Sequence, residues 1–185
     1  MAAATRGFAA AGYAGVTLRG LAAELGVSPM TPYRYFRDKD EIFEAVRAAS
    51  FGRFADAQAR ACAEAGEPRA RLLALGRAYV GFAMREPGAY RLMFEMNRPG
   101  DAAHPELRHE QIRAWEPLRR AVEAAIRAGL LAGDVETVAQ VFWSGLHGLV
   151  SLELAGAIHH GHSLDSLVEP MLATLLRGAS QEART

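Results

Sequence analysis

The chain has 185 residues, half of them apolar, enough to bury a core without a metal or disulfide framework. Its one cysteine, Cys62, excludes an intrachain disulfide or a multi-cysteine metal site and points to a reducing compartment. The 21 basic and 21 acidic side chains cancel, so this is not a globally basic nucleic-acid binder, and any DNA-binding charge has to be local.

Residues of high helix propensity dominate, strand-like alternation is absent, and Gly, Pro and Ser recur at intervals that punctuate helices, so the fold class is all-α with about nine helices. The first ends near Tyr13, after an N-terminus that lacks the apolar stretch of a secretory signal. A second runs from Leu18 to Leu25 with Thr17 as its cap, and a third from Pro29 to about Phe36. The fourth begins near Asp38 or Lys39 and continues to about Ala65, where Gly66, Glu67 and Pro68 break the chain. Leu72, Leu75, Tyr79, Phe82 and Ala83 then recur on one face of a fifth helix.

Pro87 opens a short sixth segment through Phe94, and the stretch from Asn97 to Pro105 reads as a turn-rich loop. A seventh helix carries Leu107, Trp115, Leu118, Val122 and Ile126 and ends at Gly129, with Pro117 either kinking it or marking its start. Asp134 caps an eighth helix to about Gly156, and Ser163 a ninth with Leu164, Leu167, Met171, Leu172 and Leu175 inward. Pro170 implies a kink or a delayed start near Glu169. The longest apolar stretch, Val138 to Ile158, is interrupted by Gln140, His147 and Glu153. It is expected to be a protein-buried helix and not a membrane span, which makes the chain soluble and cytoplasmic.

Thr17 to Phe36 reads as two short helices joined by a tight turn. Gly26 suits the left-handed conformation that ends the first helix, Ser28 can cap the next, and Pro29 at its first position loses only an amide hydrogen that has no partner. Leu21, Ala22, Leu25, Val27 and Phe36 are expected to be buried. Met30, Thr31, Arg34 and Tyr35 remain outward, a short polar-edged face suited to a major groove. Thr31 can touch a base edge or a thymine methyl, Arg34 can pair with guanine or phosphate, and Tyr33, Tyr35 and Lys39 can hold phosphates.

The stretch from Gly12 to Val46, GYAGVTLRGLAAELGVSPMTPYRYFRDKDEIFEAV, resembles the tetracycline-repressor (TetR) family of bacterial regulators. The resemblance implies phosphate contacts by Thr17, Tyr33, Tyr35 and Lys39 and groove contacts by Pro29, Met30 and Thr31. Pro32 stands where that family usually has Leu, early enough in the recognition helix to cost about one hydrogen bond. The first helix is about ten residues short, and the missing part often includes a basic arm, so either Met1 is not the true start or DNA affinity is lower. PGAYRLMF (Pro87 to Phe94) and WSGLHG (Trp143 to Gly148) resemble a subgroup with a WHG-like C-terminal domain. The expected division is a helix-turn-helix domain over residues 1–45 and a ligand-binding and dimerisation domain over 46–185.

The resemblance implies that the last two helices pair with those of a second copy in a four-helix interface. Val141, Gly145, Gly148, Leu149, Leu152, Leu167, Met171 and Leu175 are the expected contacts. Gly145, Gly148 and Gly156 each cost the eighth helix roughly 1 kcal/mol of propensity, which close packing would explain. Tyr79, Phe82, Met93, Phe94, Met96, Trp115, Trp143 and His147 form an aromatic and Met-rich set that suits a bulky apolar effector or plain core packing. His159, His160 and His162 match no common zinc spacing and read as a solvated turn, so no metal or cofactor is expected.

These features point to a ligand-controlled, DNA-binding homodimer, a repressor of a palindromic operator released by an apolar or aromatic small molecule. A helical enzyme would need a nucleophile, base or metal set, and none is found. The alternative is a helical interaction or ligand-binding module that has lost DNA binding.

Overall fold

The computed structural model describes residues 1–94 and 104–180, and all regular structure among them is helical. Among the described residues there are eight α-helices: α1 (Ala2–Gly15), α2 (Leu18–Glu24), α3 (Lys39–Glu64), α4 (Pro68–Arg85), α5 (Pro87–Phe94), α6 (Pro105–Arg127), α7 (Val135–Leu154) and α8 (Leu164–Gly178). The expected third helix, Pro29 to Phe36, is only a 3-10 turn over Pro32–Arg34. Met96 and most of the loop expected before Pro105 lie outside the described residues.

Local chemistry sets the boundaries. The Thr17 hydroxyl accepts the Gly20 amide and starts α2, and Gly26, at φ 65°, turns the chain after it. Asp134 accepts the Thr137 amide at the head of α7, while Ser163 and Ser166 form a reciprocal capping box on α8. Pro117 and Pro170 both lie inside continuous helices, so neither marks a start; α8 begins at its serine cap, before Pro170. Gly12 breaks α1 internally at φ 66°.

Packing groups the described residues into two compact units. The first comprises residues 1–54 with 86–94 and 104–114, and the second residues 55–85 with 115–180. The first therefore extends beyond residue 45 along α3 and includes α5. Its core is Phe8, Leu18, Leu21, Phe43, Val46 and Leu92, with Phe8 and Tyr13 both edge-on to Phe43. Close α1–α5 approach depends on Gly88, where an added Cβ would lie 2.9 Å from the Ala9 methyl.

The second unit is built on Leu72, Leu75, Val122, Leu131, Phe142 and Leu176, from α4, α6, α7, α8 and the turn after α6. Gly76 lets α4 approach α8, and Gly145 lets α7 approach the same helix against Leu175 and Met171. No helix among the described residues is long and apolar enough to cross a membrane.

Candidate nucleic-acid interface and effector-binding residues

The segment after α2 is shaped by a proline. In an α-helix from Pro29 the Ser28 carbonyl would accept from residue 32, but Pro32 has no amide hydrogen and its ring crowds that carbonyl. The Thr31 amide takes the Ser28 carbonyl instead, at 2.8 Å, and the tighter pattern continues with Arg34 donating to Thr31 and Tyr35 to Pro32. Pro32 thus shortens the recognition element, which corrects the expected full helix. The shorter element covers less of α2, and Leu25 and Val27, expected inside, are exposed, while Phe36 is half-buried.

Most residues assigned to DNA are open to solvent. Met30 is 66% exposed, Tyr33 45% and Tyr35 72%; Pro29 and Arg34 are also exposed, and Thr31 is half-buried. The Thr17 hydroxyl is engaged as the α2 cap. Lys39 turns back on α1: its Nζ donates to the Tyr13 carbonyl at 3.0 Å and lies 4.0 Å from the centre of the Tyr13 ring. The lone lysine therefore braces the end of α1.

Two features of this surface were missed in the sequence. Arg19, in the first turn of α2, is exposed and, like Arg34, has no acidic partner among the described residues. Its signal was a basic residue two positions after the cap. Asp38 accepts the Glu41 amide at 2.9 Å, and that bond, followed by the Arg37 guanidinium, holds its carboxyl below the usual aspartate range. The head of α3 is thereby fixed just after the recognition turn.

In the second unit the hydroxyl of Tyr79, a buried residue of α4, lies 3.0 Å from Nδ1 of His147 on α7, and the Trp143 ring lies 5.3 Å from the same imidazole. These three of the expected effector set are brought together. Phe82 is buried on α4, and Trp115 packs against the core, with its indole nitrogen 3.4 Å from Glu136. Met93 and Phe94 belong to the first unit, where Met93 is buried and Phe94 lies edge-on to Phe51 at 5.6 Å. Sequence reading also passed over Gln58 of α3, a carboxamide only 4% exposed with no hydrogen bond among the described residues.

The expected dimer residues fall into two groups. Val141 and Leu152 are each 51% exposed, and Gly148 between them is exposed with open space where a Cβ would stand. Spacings of seven and four residues put the three on one stripe of α7. Leu149 is buried within its own protomer, and Gly145, Leu167, Met171 and Leu175 are half-buried, the glycine being shaped by α8 packing. His159, His160 and His162 lie in the turn before α8, and no group of potential ligands there or elsewhere among the described residues is arranged to hold a metal.

Two family models match the chain. One, described as bacterial regulatory proteins of the tetR family, matches residues 1–46; the other, described as the tetracyclin repressor-like C-terminal domain, matches residues 72–175. An HTH-type transcriptional regulator of Mycobacterium tuberculosis is 27% identical over 194 aligned positions, covering 86% of this chain and 79% of the relative. The solved structure of a protein of unknown function from Rhodococcus sp. RHA1 has a TM-score of 0.86 at 32% identity, covering 97% of this chain and 93% of that one. The fatty acid degradation regulator of Bacillus halodurans has a TM-score of 0.80 at 20% identity, covering 96% of this chain and 92% of that one.

Proposed function

Since the chain belongs to the tetR family of bacterial transcription regulators, the C-terminal match alone spanning more than half of it, we propose that it is a repressor released from a palindromic operator by an apolar effector. Regulators of this family bind DNA operators, dimerise and respond to ligands, so this chain is a ligand-responsive DNA-binding regulator.

The single observation that carries the DNA-facing part is the solvent-open set Met30, Tyr33, Arg34 and Tyr35 on a turn fixed by capped helices at both ends. In this reading Pro29, Met30 and Thr31 enter the groove, while Tyr33, Tyr35, Arg34 and Arg19 hold phosphates or a guanine. Thr17 and Lys39 act mainly by setting α2 and α1 in place, with the spare donors of Lys39 left for phosphate.

For dimerisation, the exposed stripe Val141, Gly148 and Leu152 is the surface assigned to a second copy, with Leu167, Met171 and Leu175 supporting it from α8. Apolar side chains half in water on a glycine-bearing helix suit a self-complementary contact. The buried Leu149 and Gly145 shape the stripe from beneath.

The effector reading centres on Tyr79, Trp143, His147 and Gln58 in the second unit, with Phe82 and Trp115 as apolar walls. A buried amide with no partner among the described residues is costly, about 1–3 kcal/mol for each unsatisfied group, and an effector's carboxylate or carbonyl would relieve that cost. The similar fold of a fatty acid degradation regulator supports a long apolar molecule with a polar head. Release follows if the effector favours a conformation whose recognition turns no longer match successive major grooves. Saturated fatty acids of graded chain length, titrated into the protein–operator complex, test this: dissociation that strengthens with chain length supports the reading, and an operator complex indifferent to all of them removes it.

A further inference from the structure

We infer that this chain reads its operator half-site through thymine methyl groups, gripped chiefly by Met30, with Arg34 supplying the one strong hydrogen-bonded base contact. The inference rests on the DNA-binding reading above and adds the kind of sequence that is read.

In the major groove adenine is read best by a carboxamide, cytosine by a carboxylate and guanine by an arginine, while thymine also offers its C5 methyl to apolar side chains. From Ser28 to Phe36 the chain has no Asn, Gln, Asp, Glu, His or Lys. Arg34 is the only charged side chain there, and it is exposed with no acidic partner among the described residues. The Ser28 hydroxyl accepts the Met30 amide and its carbonyl the Thr31 amide, so Ser28 is spent on shaping the turn. Thr31 is half-buried.

What the turn does present is apolar. Met30, at the leading end of the recognition element where base contacts are made, is 66% exposed, and the neighbouring Pro29 is exposed as well. An unbranched thioether left in water adapts readily to a methyl of uncertain height in the groove, and removing both from water is favourable. Arg19 and Arg34, without acidic partners among the described residues, supply positive charge around this apolar tip, matching a polyanion and not an apolar protein partner. Pro32 deepens the dependence: a three-residue 3-10 turn offers fewer outward side chains than a full helix, so little else is left to discriminate bases.

The test uses the full-length protein and a duplex selected by it from a random-sequence pool, resynthesised with deoxyuridine replacing each thymidine in turn. Deletion of a methyl buried against Met30 is expected to weaken wild-type binding by about fourfold. Met30→Ala, a change at an exposed position that leaves the helical content intact, is expected to bind more weakly and to lose sensitivity to that same deoxyuridine. A wild-type protein indifferent to every deoxyuridine, or a Met30→Ala protein as sensitive as wild type, overturns the inference while DNA binding stands. Failure to select any duplex overturns the DNA-binding reading itself, and the inference with it.

Discussion

The guanidinium of Arg47, wholly buried on α3, donates from Nε to the backbone carbonyl of Leu92 at 3.0 Å. Leu92 lies in the last turn of α5, where carbonyls lack intrahelical donors, so the arginine both fills a hydrogen-bonding vacancy and places positive charge at the helix C-terminus. Its Nη1 also lies 3.2 Å from the buried Glu44 carboxylate. Arg47→Met should destabilise the protein by about 3–5 kcal/mol, because Glu44 then loses this partner inside the core. Urea unfolding measures the change. The double variant Arg47→Met/Glu44→Gln should recover part of the loss, and a single-variant cost under about 1 kcal/mol would contradict the assignment.

Gly76 sets how closely α4 meets α8. A Cβ at that position would sit 2.5 Å from Cδ2 of Leu172, which is itself fully buried. Gly76→Ala should therefore lower stability by about 1–3 kcal/mol despite alanine's better helix propensity. Shortening the opposing residue, as in Gly76→Ala/Leu172→Val, should restore part of it in thermal unfolding. A more stable single variant would show that the two helices can separate freely.

Acid stability should carry the signature of Glu116. Hydrogen bonds from Arg119, at 3.0 Å, and Arg120, at 2.7 Å, lower its carboxyl from an ordinary 4.5 to about 2. A lowered folded-state pKa gives stability that is fully present above the unfolded value near 4.5 and is lost as pH falls through about 2. Urea midpoints measured across that window should fall less steeply for Glu116→Gln than for wild type, the two curves converging at the acid end. Parallel curves would show that the ion pairs contribute nothing to folding.

Val141→Glu tests the proposed dimer face. The side chain is half-exposed in the protomer, so the substitution should preserve helical content, yet a two-fold contact would bring two new carboxylates together. Light scattering should report a wild-type dimer and a variant shifted to monomer at micromolar concentration. A variant that remains dimeric would place the interface elsewhere.

The parts of this molecule that were legible in its sequence are those governed by neighbours along the chain. Thr17, Asp134 and Ser163 mark helix starts because capping spans only three residues, and Gly26 marks a turn because few other residues tolerate a positive φ. The apolar face of α4 follows from helical spacing alone. Pro32 was legible as a residue and misjudged as a force: counting one lost hydrogen bond ignored the ring's clash with the preceding turn, which turned a helix into a 3-10 turn and left Leu25 and Val27 uncovered. Residues whose roles depend on a distant partner were hidden. Lys39 turns to Tyr13, Arg47 reaches Leu92, and Leu149 points into its own protomer's core. The bond between Tyr79 and His147 was hidden as well: the sequence grouped both with the effector residues without pairing them, and His147 only interrupted the apolar run of its helix.

The most direct measurement is binding of the purified full-length protein to the intergenic DNA beside its own gene, at several salt concentrations, with wild type and Tyr33→Ala compared. Wild type should bind one site specifically, with affinity falling steeply as salt rises, and Tyr33→Ala, altered only at an exposed side chain, should bind about tenfold more weakly or worse. If neither protein binds, or both bind every duplex alike, the recognition turn does not read DNA, and the chain is a helical ligand-binding module instead.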